Sequence, residues 1–311
     1  MKLENLYSIS NYFAARRVQD LIIKSEAQPE ELIAKRIVAN KPLLFGRLGG
    51  LEASVIGIYL NLKNVKQNPI RAIPALILRR RRFLQLINNA GVYPINKSIV
   101  EFFCEQHLSA LQDTDLLSVW AKPFAWAESI ALDHNVVLVS GDYSFPWLES
   151  RDGISQLGWA HSFSGKKILV ISPFTKSISV QINKMEKIFA SIKIPNMYFE
   201  LLQAPLTQGG LNDGKNYKIH LTEMKNQMMA KEFDIALISA GGYSLPLAHF
   251  AKKSGKIGIH AGGAMQIFFG ITGRRYDSYS QVLKFINENW KRPYDFERPA
   301  NWQSIEGGCY W

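Results

Sequence analysis

Between Gly165 and Gly263, short apolar runs alternate with stretches of helical spacing, and this alternation limits the fold more than any other feature of the chain. Lys167–Ser172, Met197–Leu202, Asp234–Ser239 and Lys256–His260 have strand length and are rich in aliphatic residues. The segments between them, 177–192, 219–231 and 245–254, carry apolar residues three and four apart. Parallel strands need a crossover, and a helix is the usual one, so the pattern predicts a doubly wound, mostly parallel α/β sheet of the Rossmann-like kind. Right-handed crossovers then bring the carboxyl ends of the strands to one edge. Residues 165–275 read as the second Rossmann-like half of a single domain spanning 1–311.

Upstream, residues 1–40 read as a helical N-terminal region of two helices, with Leu21-Ile22-Ile23, Leu32-Ile33 and Ile37-Val38 at helical spacings and Pro29 near a helix start. Pro42–Gly46 is a short buried strand. It runs through Arg47-Leu48-Gly49-Gly50-Leu51-Glu52 into a helix expected from Ala53 to Leu60. The stretch 61–133 reads as mostly helical, broken at Asn89-Ala90-Gly91 and at Pro94. Val136–Ser140 is a further strand, ending in Gly141-Asp142. Beyond Arg275 the chain is aromatic and irregular, and it is expected to pack back over the sheet.

Composition removes several function classes. A chain of 311 residues, 47% apolar and 20% charged, has the length for a real core and excludes long disorder. No apolar run approaches the roughly 20 residues of a membrane-spanning helix. Met1-Lys2-Leu3-Glu4-Asn5 lacks the pattern of a secretory leader. Cys104 and Cys309 are far apart and show no metal-type spacing, so the expected compartment is a reducing cytoplasm. The net charge of +11 favours anionic partners. Nucleic acid is disfavoured, because there is no zinc-finger or RNP-like pattern. Arg79–Arg82 is the sharpest basic cluster. It reads either as a solvated helix end, where cations suit the carbonyl dipole, or as a docking patch for a lipid phosphate at the inner membrane face.

In sheets of this kind ligands bind beyond the carboxyl ends of the strands. The chemically interesting motifs all fall there: Gly49-Gly50, Gly141-Asp142, Ser172-Pro173-Phe174, Gly241–Ser244 and His260–Gly263. Ala240-Gly241-Gly242-Tyr243-Ser244 joins a strand to a helix, so its free N–H groups and the helix dipole suit a phosphate; a plain turn with an N-cap serine is the alternative. Arg47 can hold a phosphate in bidentate fashion, and Glu52 can bind sugar hydroxyls, hold a metal or act as a base; an internal Arg47–Glu52 ion pair is the alternative. His260 suits a phosphate or a sugar hydroxyl, or is structural. Asp142 and Glu149 flank the aromatic stretch Tyr143–Trp147, a pairing that suits carbohydrate as well as an ordinary packed loop. The phosphate loop GxxxxGK[ST] and the patterns GxGxxG, GxSxG and HExxH are absent, and no D-x-D motif is expected at the site, which withdraws support from kinase, classical NAD enzyme, α/β-hydrolase and zinc-protease readings.

Phe45–Glu52 resembles the strand-end R-x-G-D-G-E signature of GT-D type glycosyltransferases. Leu237–Ala248 is similar to that family's second signature, a strand, a glycine turn and a helix, and Lys256–Gly263 sits where the family has a strand ending in a His/Gly motif. The chain also resembles bacterial surface-polysaccharide (capsule and lipopolysaccharide) locus proteins. Their G-K-K-x-L-V-I-x-P-F strand is Gly165–Phe174 here, their I-H-x-G-G-x-x-Q-x-x-F-G-I-x-G-x-R run lies over Ile259–Arg274, and their terminal G-C-Y-W is Gly308–Trp311. The resemblance covers most of the chain from residue 42 onward. It implies a GT-D-like fold and transfer of a sugar from a nucleotide-sugar donor, a UDP-sugar, to a glycan or lipid-linked glycan in surface polysaccharide biosynthesis.

The resemblance maps Arg47, Gly49 and Glu52 onto the family's Arg, first Gly and Glu, and puts Gly50 where the family has Asp. A Mn²⁺ or Mg²⁺ ion held by the D-x-E pair therefore loses one ligand, and Arg47, Arg274, Arg275 and backbone amides are expected to neutralise the donor diphosphate instead. The expected site has Glu52 and Asp142 as catalytic carboxylates. Arg47, Gly49, Gly50, Ser172, Gly241, Gly242, Tyr243, Ser244, His260, Gly262, Gly263, Gln266 and Arg274 surround the donor, with no metal ligand assigned. Two alternatives stay open: another nucleotide-dependent transferase, and a non-catalytic sugar-nucleotide-binding or assembly subunit of a polysaccharide complex.

Overall fold

Successive side chains of a strand point to opposite faces, and along the central strands of this chain both faces are buried. The computed structural model describes residues 29–64, 66, 69–119, 136–140, 158–190 and 192–311. Among them are seven strands: β1 (Leu43–Arg47), β2 (Leu116–Val119), β3 (Val137–Ser140), β4 (Lys167–Ser172), β5 (Tyr198–Gln203), β6 (Ile235–Ile238) and β7 (Ile257–His260). They form one parallel sheet in the order β3-β2-β1-β7-β6-β4-β5. The helices are α1 (Pro29–Val38), α2 (Gly50–Lys63), α3 (Pro69–Ala90), α4 (Lys97–Gln112), α5 (Thr175–Ile182), α6 (Met185–Ile188), α7 (Tyr217–Met229), α8 (Ser244–Lys253), α9 (Ala264–Phe268) and α10 (Ser280–Leu283).

Leu44, Leu169, Ile171, Ala236 and Ile238 join one apolar cluster with α2, α3, α4, α7 and α8. Leu43, Phe45, Ile168, Val170, Ile235, Leu237 and Ile259 join a second with α1, α5, α9 and the C-terminal aromatic segment. A strand buried on both sides needs apolar residues at every position, so it reads as a continuous run instead of an alternation. That is why β4 and β6 are legible in the sequence. The α/β class and the parallel sheet are as expected. Of the helical N-terminal region, α1 is described, and residues 1–28 lie outside the described residues.

Three expectations are corrected. Leu116–Val119 belongs to the stretch read as helical, yet it is a strand. Four residues fit neither period, and the strand state comes from pairing on both sides, Phe45 with Leu116 and Leu116 with Val137. The single helix expected over 177–192 is two pieces, α5 and α6. The second piece stops at Ile188, where side chains of the C-terminal segment take the carbonyl that a continuing helix would bond: Asn287 Nδ2 donates to it at 3.1 Å and Trp290 Nε1 at 3.2 Å. Arg79–Arg82 lies in the middle of α3 and not at a helix end.

The segment after Arg275 packs back on the sheet, with Tyr276, Val282, Trp290, Ile305 and Trp311 in the second cluster. One buried carboxylate fastens it. Glu297 Oε1 accepts from the Lys176 and Ser177 amides at 2.9 and 3.2 Å, in the first turn of α5, where helix amides have no intrahelical partner. Glu297→Ala strands these amides and is expected to cost about 2 kcal/mol in a urea melt. A loss within scatter would show that the tail is held by its apolar contacts alone. No helix among the described residues is long and apolar enough to cross a membrane.

Candidate functional site

Neighbouring strands in the middle of the sheet send the chain to opposite faces. β1 leads into α2 and β6 into α8, both on the first face, whereas β7 leads into α9 and β4 into α5, both on the second. In the order β1-β7-β6-β4 the exits therefore alternate, and a crevice opens wherever adjacent chains part. A cleft of about 300 Å³ occupies this place. It is lined by Arg47, Gly49, Gly50 and Glu52 after β1, Pro173 and Phe174 after β4, Ser239, Gly241 and Ser244 after β6, and His260, Gly262 and Gly263 after β7.

Two guanidinium groups meet one glycine pair on the cleft wall. Gly262 has φ +55°, and a Cβ built on it would lie 2.8 Å from Arg47 Nη1. A Cβ on Gly263 would lie 2.9 Å from Arg275 Nη1. The turn therefore needs glycine both for its backbone and to leave room for the cations. Burial pushes the Arg47 pKa below its ordinary value, and the Arg275 charge pushes in the same direction against Tyr276, Tyr310 and Glu52. For Arg275, burial also works against the charge. Tyr310, Cys309, Glu306 and Tyr276 outweigh it and raise the pKa. Arg275 donates to Glu306 Oε2, and its guanidinium lies 4.7 Å from the centroid of the Tyr310 ring.

Glu52 lies in the first turn of α2, with its carboxylate folded back against Gly49. Burial raises its pKa, and Glu306 adds to the rise; its own backbone amide and Arg47 act the other way. The unfolded chain ionises this group near 4.5, the folded chain at higher pH. In that window the folded state holds more protons, so stability falls as pH rises through it. Glu52→Gln removes the burden. The variant is expected to melt higher than the parent at pH 7, with the difference vanishing near pH 4. Each kcal/mol of relief adds about 2 °C in a chain of this size. An equal or lower melting temperature at pH 7 would contradict the placement.

His260 ends β7. Its Nδ1 donates to the Arg47 carbonyl at 2.7 Å, which leaves Nε2 as an acceptor. Burial, reinforced by the Arg47 charge, lowers its pKa to about 3. Behind it, His107 bonds the Phe103 carbonyl through Nδ1 at 2.9 Å and is likewise lowered by burial, to about 4. A neutral ring with an acceptor nitrogen suits a sugar hydroxyl better than a phosphate.

Several residues expected at the donor lie beside the cleft. Ser244 does line it, but its Oγ accepts from the Ala240 amide at 2.7 Å and so closes the turn. Gly242 and Tyr243 lie under the turn. Tyr217 donates to the Gly242 carbonyl at 2.8 Å and stacks on the buried Tyr243 ring at 4.7 Å. Ser172 is buried and accepts from the Phe174 amide at 3.1 Å. Gln266 is turned inward by α9 and donates to the Tyr310 carbonyl at 2.9 Å, which anchors the tail. Arg274 is exposed and does not line the cleft, and its backbone amide bonds the Trp311 carbonyl at 3.0 Å. Counting from His260, the arginine that closes the run falls on 275, one place further than Arg274. Asp142 and Glu149 lie outside the described residues.

The cleft also contains residues that strand-end motifs did not point to: Asn89 at the end of α3, Gln208, Glu306 and Tyr310. The terminal G-C-Y-W run was a signal for Tyr310. Nothing in the sequence placed Asn89, Gln208 or Glu306 beside Gly49. The chain does carry a D-x-D tripeptide, Asp113-Thr114-Asp115, but it stands before β2, at the opposite edge of the sheet. There Asp113 pairs with Lys253 at 3.0 Å and His249 at 3.0 Å, and Asp115 pairs with Lys252 at 2.9 Å and accepts from the Leu44 amide at 2.7 Å.

Among the described residues no group of three or more His, Cys, Asp or Glu could hold a metal ion. Two arginines share the cleft with Glu52 and Glu306, and Glu306 is bound to Arg275. Among the described residues this set of side chains suits an anion better than a divalent cation. Comparison of the chain with protein-family models, with curated proteins and with solved structures finds no match.

Proposed function

We propose that the cleft is the donor site of a glycosyltransferase that uses a nucleotide sugar. The observation that carries this reading is the convergence of Arg47 and Arg275 on Gly262-Gly263, where adjacent strands part. Two guanidiniums on one turn match a diphosphate, and they face the place where negative charge grows as the sugar–phosphate bond breaks. The acceptor hydroxyl oxygen attacks the anomeric carbon, the bond to the diphosphate oxygen breaks, and the hydroxyl proton passes to a carboxylate. Glu306 is held by Arg275 and Tyr310, so Glu52 is the group suited to take that proton, and its raised pKa favours the role. His260 Nε2 accepts from a sugar hydroxyl. The UDP donor and a surface-glycan acceptor follow from the resemblance to GT-D type enzymes.

A thermal-shift panel of nucleoside diphosphates and nucleotide sugars, run with chelator and with Mn²⁺, tests the donor. Diphosphate-bearing ligands are expected to stabilise the fold in chelator, in proportion to concentration over Kd. Turnover is read as release of the nucleoside diphosphate. Glu52→Gln is expected to keep donor binding and lose about a hundredfold or more in kcat. Parental turnover in that variant would end the role given to Glu52. Binding without turnover by the parent chain would favour a sugar-nucleotide-binding subunit.

A further inference from the structure

Helix α3 carries five arginines, Arg71 and Arg79–Arg82, and no acidic residue. Its inward face is ordinary core, with Ala72, Ala75, Leu86 and Ala90 buried. Its outward face is not ordinary surface. Ile70, Ile73, Ile77 and Leu84 are 77%, 53%, 58% and 58% exposed, and exposed Arg80 and Arg81 stand between the last two. The spacing 70, 73, 77, 80/81 and 84 keeps these residues on one side of the helix. A soluble surface would carry charged residues of both signs there.

We propose that this outer face of α3 docks on a membrane surface that bears anionic phospholipid. The aliphatic side chains enter the headgroup–acyl boundary and the arginines pair with lipid phosphates, as in a helix that lies in the interface plane. Charge selects this occupant over a second copy of the chain and over residues 1–28. A second copy would set Arg80 and Arg81 against their own kind. Residues 1–28 carry Lys2, Arg16, Arg17 and Lys24 against Glu4, Asp20 and Glu26, which is no counter-charge. Asn89, which lines the cleft, follows Arg80 by nine residues, roughly 14 Å along the axis. Docking therefore brings the cleft near the lipid headgroups. The inference does not rest on the transferase reading, since vesicle binding and nucleotide binding are measured separately.

The test is flotation of the full chain with vesicles of mixed phosphatidylglycerol and phosphatidylcholine, against phosphatidylcholine alone. Binding is expected to the anionic vesicles only, and to weaken as salt screens the charges. Arg80→Glu/Arg81→Glu is expected to lower the partition more than about tenfold. Ile73→Ser/Ile77→Ser is expected to lower it by about as much, with little recovery at low salt. All four side chains are exposed, so both variants should melt like the parent. No binding, equal binding to both vesicles, or parental binding by the arginine variant overturns the proposal. So does a dimer, seen by sedimentation without vesicle binding, that both variants dissociate.

Discussion

Arg47→Gln is expected to weaken nucleoside-diphosphate binding by about tenfold to a hundredfold, the range for loss of one charged hydrogen-bonding partner. It is also expected to leave the melting temperature of the ligand-free protein equal or higher. The two halves of this result come from one cause. Burial disfavours the Arg47 charge in the folded chain, and the neighbouring Arg275 disfavours it further. Burial thus works against the charge that a bound anion would need, a trade of stability for function. Glutamine keeps part of the aliphatic stem, and the His260 bond to the Arg47 carbonyl does not involve the side chain. Glu52 loses some support, but burial and Glu306 rank above Arg47 among the causes of its shift. Isothermal titration with a nucleoside diphosphate and a melt of the same samples decide the matter. A lower melting temperature with unchanged affinity would make Arg47 a structural residue and remove the ground for the donor site.

The largest effect on stability is expected from Gly258→Ala. Gly258 lies in the middle of β7, whose neighbours are β1 and β6, and α8 crosses it closely. A methyl group at this position would overlap the backbone carbonyl of Ala248 in α8. No flexible side chain can move aside, and Ala248 is itself fully buried. The helix would have to lift from the sheet, which costs about 3 kcal/mol or more and loosens the packing of the apolar cluster beneath it. A urea melt of the purified variant, or loss of soluble protein on expression, measures this. Gly50→Ala is the control, since a Cβ there meets nothing within 4 Å, and its expected change is within about 0.5 kcal/mol. Parental stability of Gly258→Ala would mean that α8 does not sit where it is described.

The parts of the fold that were legible share one property: their state was fixed by residues near in sequence. β4 and β6 are continuous aliphatic runs because both faces of the sheet are covered, and α8 is announced by the glycine turn before it. β2 was not legible, because four residues carry no period and their pairing partners lie 71 and 21 residues away. The site divides in the same way. Arg47, Glu52, His260 and the glycine pairs stand next to strand ends, and local pattern finds them. Gln266, Ser172 and Tyr243 also follow strand ends closely, but the direction of each side chain depends on what packs against it.

The sequence by itself determined the parallel α/β sheet, the edge at which its glycine turns gather, and the excess of positive charge. These follow from local periodicity, backbone freedom at glycine, and composition. Only the tertiary structure decided which cations share the cleft. Arg47 and Arg275 come together because β1 and β7 are adjacent strands whose chains leave on opposite faces. Glu306 and Tyr310 reach the same place because the C-terminal segment folds back and is tied at Gln266 and Arg275. Contacts between residues more than two hundred positions apart depend on strand order, and strand order is set by the packing of the whole chain.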